Sequence, residues 1–445
     1  MRPKLKLWSV FLLLTLCTSM HTVAQNPIVP EGEFLSDPQP RVFADGKVYV
    51  YGSRDVGSTD WCSKSNDVLV NSDQNRWTLH KDILRSGDIT GLKAPLFAPD
   101  CICKDGKYYL FYCTPDDSHK EGIAVSDSPC GPFKEYASLP KCKGIDPSVF
   151  QDDDGQIYYF WGQYSLKCAK LKPDLSGIDE ATIVDNVLTE KEHHFHEGSQ
   201  AFKRNGIYYL SFADISRRHP TCIGYATAKS PTGPYTYRGV IIDNDGCNPA
   251  VWNNHGAVAE IGGRWYVFYH RPSNGVITMR KACVEPITFD DNGLIKEVEM
   301  TSQGAGKPLD GGKAIAARLA CWMKGNVRVT TYPGGKEVLS GIQNADSAVY
   351  RYVHFDKAPT ALHVDVSTQA GGKMRVYACK AGQKPLRLAE LTVRPARLTG
   401  SVMDRRKVSL STDAAALQGG DFTISLSFEG EGNQDLMTIH RFRFE

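Results

Sequence analysis

Residues 144 to 162 read GIDPSVFQDDDGQIYYFWG. An acid, Asp146, stands before a proline. A short alternating run ends in the turn Asp152-Asp153-Asp154-Gly155, and a second run, Ile157 to Trp161, is β-branched and aromatic. Two short strands joined by Asp-Gly make a hairpin. The unit recurs as Asp45-Gly46 before VYVYGS, Asp105-Gly106 before KYYLFYC, Asn205-Gly206 before IYYLSFAD and Gly262-Gly263 before RWYVFYHR. The turn glycines lie 60, 49, 51 and 57 residues apart. A period near fifty with several strands per unit predicts propeller blades rather than a helical solenoid, and five copies predict five blades.

Upstream of the turns lies the chemistry. Asp37, Asp146 and Glu197 each precede a turn glycine by nine residues, His255 by eight and Asp100 by six. Equivalent positions of successive blades surround one axis, so this register predicts a ring of ionisable side chains around one pocket. An acid before a strand also caps turns, which is the simpler account of any one of them.

The other strand signals follow the same plan. SDSPCGPF at 126–133 and AKSPTGPY at 228–235 each close an alternating run with a proline-glycine turn, and NSDQNRW at 71–77 is a looser relative. No convincing amphipathic helix appears between Asp37 and Gly304. The text TSQGAGKPLDGG around Thr301–Gly312 reads as a linker, bounded at 305–315. Beyond it YRYVHF, ALHVDVST, KMRVYACK, FTISLSFEG and MTIHRFRFE alternate without the acid-plus-turn unit. The expectation is an all-β chain: a propeller over 25–304, then a jelly-roll-like β-sandwich over 316–445.

Residues 1–24 read as a secretory signal. Arg2, Lys4 and Lys6 form a basic end, Trp8 to Leu16 an apolar core, and Thr22-Val23-Ala24 a small-residue cleavage site. Leu16 is too bulky for lipoprotein processing at Cys17. The apolar run is too short for a membrane span, so a periplasmic or secreted protein is expected. Cleavage after Ala24 takes the formal charge from +2 to −1. That balance, with no basic stripe, argues against nucleic acid as a partner. The oligomeric state is not readable. Several cysteines, such as Cys113 and Cys168, sit in apolar strand text, which predicts buried thiols and few disulfides. Cys101-Ile102-Cys103 lacks the second pair that a zinc site needs.

Two carboxyl groups across a bond can hydrolyse a glycoside, and a third close by raises the proton affinity of its neighbour. SDP at 36–38, FAPD at 97–100, IDPSVF at 145–150, HEGS at 196–199 and NNHGAV at 253–258 together resemble glycoside hydrolase family 43 over about residues 30–304. The resemblance implies a five-bladed propeller and inversion of anomeric configuration. It implies Asp37 as general base, Glu197 as general acid and Asp146 as the carboxylate that tunes that acid. His255 matches a histidine that helps to hold calcium or another cation, mainly through water, and no organic cofactor is implied. Arg271 matches a sugar-contacting arginine, and Phe97 stands where tryptophan is usual. Trp161 and His196 complete the substrate-binding set.

Glu197 is followed by Gly-Ser rather than Gly-Pro. His193, His194 and His196 read as a loop lining a sugar pocket rather than a metal cluster, and Asp152 to Asp154 as a solvated turn rather than a calcium site. The C-terminal text resembles carbohydrate-binding module family 6, with Thr438 where a sugar-binding asparagine is common. Sugar binding and bracing of the propeller both stay open for it. The expected activity is an exo-acting α-L-arabinofuranosidase on plant polysaccharide side chains. β-Xylosidase and galactan- or galactofuranoside-cleaving activity are the alternatives, and a non-catalytic sugar-binding propeller or a protein scaffold are those of another class.

Overall fold

The structure, a computed structural model, describes residues 25–71, 77–395 and 403–445. The secretory signal lies outside the described residues. As expected, the fold is nearly all β; among the described residues the α-helix content is the single turn Glu190–His193.

Five antiparallel sheets follow one another. The first holds Ser36–Val42, Val48–Ser53, Ser65–Asn71 and Trp77–Arg85 in sequence order, and the next three repeat that simple meander. The fifth has three strands, Ala257–Ile261, Arg264–Ser273 and Val276–Ile287. Each opens with the hairpin read from the sequence, and Gly46, Gly106, Gly155, Gly206 and Gly263 all take positive φ at its turn. Non-glycine residues pay a steric cost there.

Why the sheets form a ring is visible in the cores. Tyr51 and Val68 of the first sheet pack with Leu110 and Tyr112 of the second. Phe111 packs with Tyr159, Phe160 with Phe212, and Tyr209 with Val267. The last cluster joins Phe268 and Val284 of the fifth sheet to Val48 and Leu69 of the first, closing the propeller. Residues before the first strand help to close it. Asn26 donates to the carbonyls of Val284 (3.1 Å) and Thr301 (3.2 Å) and accepts from the Val284 amide (2.8 Å). The Ile28 amide donates to the Ala282 carbonyl, and Leu35 bridges Lys281 in parallel.

The C-terminal unit is a sandwich of two six-stranded sheets around one apolar core that includes Tyr350, Ile424 and Ile439. Its hydrogen bonding starts inside the segment read as linker. Leu309–Asp310 pairs in parallel with Ser347–Phe355, and Ile315–Ala316 pairs with Met437–Phe444. Glycine-rich text hid two-residue strands too short to show a period.

The sandwich docks on the propeller through apolar, polar and ionic contacts, with Cys321 and Trp322 packed into the core of the last two propeller sheets. Lys281, on the last propeller strand, pairs with Glu337 of the sandwich, and their side chains are 2% and 1% exposed. The Lys281 ammonium also donates to the Glu33 carbonyl at 2.6 Å. Glu337 accepts from the Gly32 amide at 2.9 Å, and its own amide donates to Glu31 at 2.7 Å. Asn274 bonds the backbone of Thr331, and the Met323 amide donates to the Gly246 carbonyl.

Candidate active site

At one end of the propeller axis a pocket of about 640 Å³ is lined by Asp37, Phe97, Asp146, His196, Glu197, His255 and Arg280 among others. Sequence-predicted residues from all five sheets therefore meet there. Local backbone irregularity aims them. Asp37 and Asp146 have φ of 53° and 56° and each precedes a proline; the Asp37 register shifts between Ser36 and Gln39. Such a bulge turns one side chain out of the ladder. Glu197 lies between two register shifts and precedes Gly198 at φ 67°. A Cβ on Gly198 would stand 2.9 Å from the His255 ring, so glycine is what lets the imidazole lie against this backbone.

The three carboxyls sit in unequal environments. Asp37 is buried, accepts from Arg280 at 2.8 Å and from the Ser53 hydroxyl at 2.6 Å, and its amide donates to His270 Nδ1 at 3.2 Å. Burial would push its pKa up, but Arg280 foremost, with the hydrogen bond from Ser53, holds it down at about 2. Asp146 is the reverse case. Burial, then the charges of Glu197 and Asp37, push its pKa well above the usual carboxylate range. Its Oδ2 is buried without a hydrogen-bond partner among the described residues. The Asp146 amide donates to Cys113 Sγ at 3.3 Å. Glu197 is half-buried and accepts from Gln163 at 2.8 Å. His255 Nδ1 lies 3.6 Å from Asp37 and 3.8 Å from Asp146, and burial lowers its pKa, leaving a neutral ring.

Arg280, which the sequence reading missed, organises the base of the pocket. Its guanidinium takes both oxygens of buried Asp55 at 2.8–2.9 Å, reaches Asp37, and lies over the ring of Trp61 at 4.9 Å. Arg271 does not enter the pocket, which corrects its sequence assignment. It is buried against the Tyr269 hydroxyl at 3.0 Å and the Thr301 carbonyl at 2.9 Å. Strand parity is the reason. Pro272 pairs with Arg280 and Arg271 with Lys281, so Arg271 and Arg280 project to opposite faces. The alternation ITMRKA was the available signal.

Trp161 is also absent from the pocket lining. It is buried, stacks on Tyr159 with centroids 5.5 Å apart, and packs in the core between the second and third sheets. Asp100 leaves the ring as well. Ala98, with positive φ and followed by Pro99, holds the place that Asp37 and Asp146 hold in their sheets. Asp100, two residues on, pairs with Arg41 and accepts from the Val149 amide at 2.8 Å, tying three sheets together. The offset of six rather than nine residues from its turn glycine was the warning.

His196 stands at the pocket with Nδ1 3.2 Å from Glu190, beside the exposed ring of Tyr164. His193 instead accepts from the Thr189 amide, and His194 packs on Tyr237. Asp152 and Asp153 hold the Lys203 ammonium at 2.7 and 2.8 Å. Among the described residues no group of three or more His, Cys, Asp or Glu could hold a metal, and each described cysteine is unpaired. The sequence also gave no sign of the rim. Trp61 and Trp252 are 42% and 44% exposed at the pocket mouth, and Trp252 stacks on His219 at 4.3 Å.

An ionised carboxylate, a second acid of raised proton affinity and a third on the pocket wall suit cleavage of glycosidic bonds. Comparison with known proteins agrees and is more specific. A profile of glycosyl hydrolases family 43 matches residues 24–295. The chain is similar to a xylosidase/arabinosidase of Thermoclostridium stercorarium, 31% identical over 74% of this chain and 82% of that protein. An arabinoxylan arabinofuranohydrolase of Paenibacillus polymyxa is 25% identical over 98% of this chain and 78% of its own. Among solved structures, a β-xylosidase/α-arabinofuranosidase from a compost microbial metagenome, in complex with xylotriose, is 30% identical. It matches with a TM-score of 0.56 over 63% of this chain and 99% of that one. The chain belongs to glycosyl hydrolases family 43. It is a glycoside hydrolase of the arabinofuranosidase or xylosidase type.

Proposed function

We propose that the protein is an exo-acting, inverting α-L-arabinofuranosidase that trims side chains of arabinoxylan-type polysaccharides. The observation that carries this reading is the contrast between Asp37 and Asp146 in one pocket with Glu197. Asp37, held ionised by Arg280, takes the proton of the attacking water. Glu197 protonates the departing oxygen. Asp146, buried beside Glu197 with one oxygen unpaired among the described residues, is the third carboxyl, which tunes and positions that acid. Phe97 gives the sugar an apolar wall and Trp61 and Trp252 face the remainder of the chain. A cation beside His255, which the resemblance implies, would be held mostly through water, since no set of three side-chain ligands forms there among the described residues, and would supply charge to the site. The basic-apolar leader of residues 1–24 supports export.

β-Xylosidase activity is the second reading, favoured by the xylosidase/arabinosidase named among the relatives. The test is hydrolysis of 4-nitrophenyl α-L-arabinofuranoside and β-D-xyloside by wild type and Glu197→Gln, with the released anomer followed by proton NMR. Activity on the arabinofuranoside that is lost in the variant is the expected result. Activity on the xyloside alone replaces the substrate. A variant as fast as wild type overturns the assignment of the acid.

A further inference from the structure

The outer face of one sandwich sheet carries a second polar cavity, of about 340 Å³, lined by Ala314, His363, Asp365, Arg405, Arg441, Phe442 and Arg443. Its volume falls at the small end of the range of ligand pockets. Strand register builds it. Leu362, Val364 and Val366 point into the sandwich core, so His363 and Asp365 point outward. Lys407 and Arg443 flank His363 from the neighbouring strands, and Arg405 and Arg441 flank Asp365.

The two arginines are held in a particular way. Asp365 is buried and accepts from Arg405 Nε at 3.0 Å with one oxygen and from Arg441 Nε at 2.6 Å with the other. Both guanidiniums are thereby fixed through Nε, while their Nη groups make no hydrogen bond among the described residues. The side chains stay 68% and 50% exposed. Arg443 adds a third guanidinium with no ion pair among the described residues. Lys407 and His363 are taken up by Glu445, at 3.0 and 2.5 Å. Four cations against two acids leave the face positive. A planar fork with free paired donors is the geometry that grips a carboxylate with two parallel hydrogen bonds. Phe442, the lone aromatic residue of the lining, is 2% exposed, so a neutral sugar ring finds no flat surface to stack on.

We propose that this cavity binds a carboxylate-bearing sugar, a uronic acid residue on the polysaccharide whose neutral side chains the propeller cleaves. That the ligand is a saccharide rests on the hydrolase reading above; that it is an anion rests on the arginines alone.

The test is calorimetric titration of the full chain with a glucuronic-acid-bearing xylooligosaccharide, its neutral counterpart, free glucuronate and inorganic sulfate, at low and high salt. The acidic oligosaccharide binds, more weakly at high salt. Binding falls about tenfold or more in Arg405→Ala/Arg441→Ala, as expected for the loss of charged hydrogen bonds. Arg443→Ala, which removes no ion pair, weakens it with the fold untouched. Nitrophenyl glycoside hydrolysis stays at the wild-type rate in these variants. Absent binding, or binding unchanged by the arginine substitutions, overturns the proposal. Sulfate binding as tightly as the oligosaccharide overturns its saccharide part, and free glucuronate binding as tightly overturns recognition of the residue as part of a polysaccharide. Acidic oligosaccharide binding without any glycoside hydrolysis leaves this site standing and removes the hydrolase reading instead.

Discussion

Replacing Glu337 by glutamine tests how firmly the sandwich is built into the catalytic unit. Lys281 and Glu337 are almost wholly removed from water, and burial pulls the Lys281 pKa down while Glu337 pushes it up. In Glu337→Gln the ammonium keeps the Glu33 carbonyl and loses its counter-charge. Breaking one side of a buried pair costs about 3–5 kcal/mol. The amide oxygen of glutamine can still accept from Gly32, so the lower end, about 3 kcal/mol, is expected. Lys281 adjoins Arg280, and Gly32 leads into the strand bearing Asp37, so kcat on a nitrophenyl glycoside should fall as well. The assay is urea unfolding followed by tryptophan fluorescence, beside kinetics. Lys281→Met/Glu337→Leu removes both charges, and apolar replacement of buried pairs is often neutral or better. It should recover most of the loss. A single variant within about 0.5 kcal/mol of wild type, or a double variant no better than the single, refutes the reasoning.

Asp146→Asn should trade activity for stability. It replaces a buried ionisable group, whose Oδ2 has no partner among the described residues, by a neutral one of the same shape, so a gain of about 0.5–2 kcal/mol is expected, with kcat reduced; differential scanning calorimetry and steady-state kinetics read the two effects. Glu121 offers a pH signature. Burial pushes its pKa up to about 8, against hydrogen bonds from Tyr159 and the Gly144 amide. A raised folded-state pKa contributes stability that is complete below the unfolded value of 4.5 and is lost as pH rises through about 8. Within that window the slope from this group approaches about 1.4 kcal/mol per pH unit. Glu121→Gln should flatten the stability profile between those limits; an unchanged slope in urea titrations at several pH values would count against it.

Much of the fold was legible because it repeats. One hairpin signal per propeller sheet, each with its turn glycine, located all five of those sheets. Asp37, Asp146, Glu197 and His255 were legible for the same reason, since the register that repeats the strands repeats the axial position. The failures are equally physical. Arg271 was assigned from the family resemblance, and strand parity, which a one-residue step inverts, brings Arg280 to the pocket face instead. Trp161 belonged to the expected substrate-binding set, but it fills the space between sheets, as other aromatic residues of these strands do. Asp100 has the right chemistry two positions from the right place. Asp55, Trp61 and Trp252 lie in irregular connections where no period operates, and only three-dimensional proximity to Arg280 or the pocket mouth identifies them.

The contacts of Asn26 carry a kinetic consequence. Its hydrogen-bond partner Val284 lies 258 residues further along the chain. During synthesis at about 5–20 residues per second, roughly 10–50 s separate the appearance of the two from the ribosome. Four sheets are complete before the ring can shut, and until then the first sheet exposes the Val48 and Leu69 face that Phe268 and Val284 later cover. Closure between such distant segments is slow. Until the fifth sheet is in place, one apolar end of the propeller has nothing to cover it.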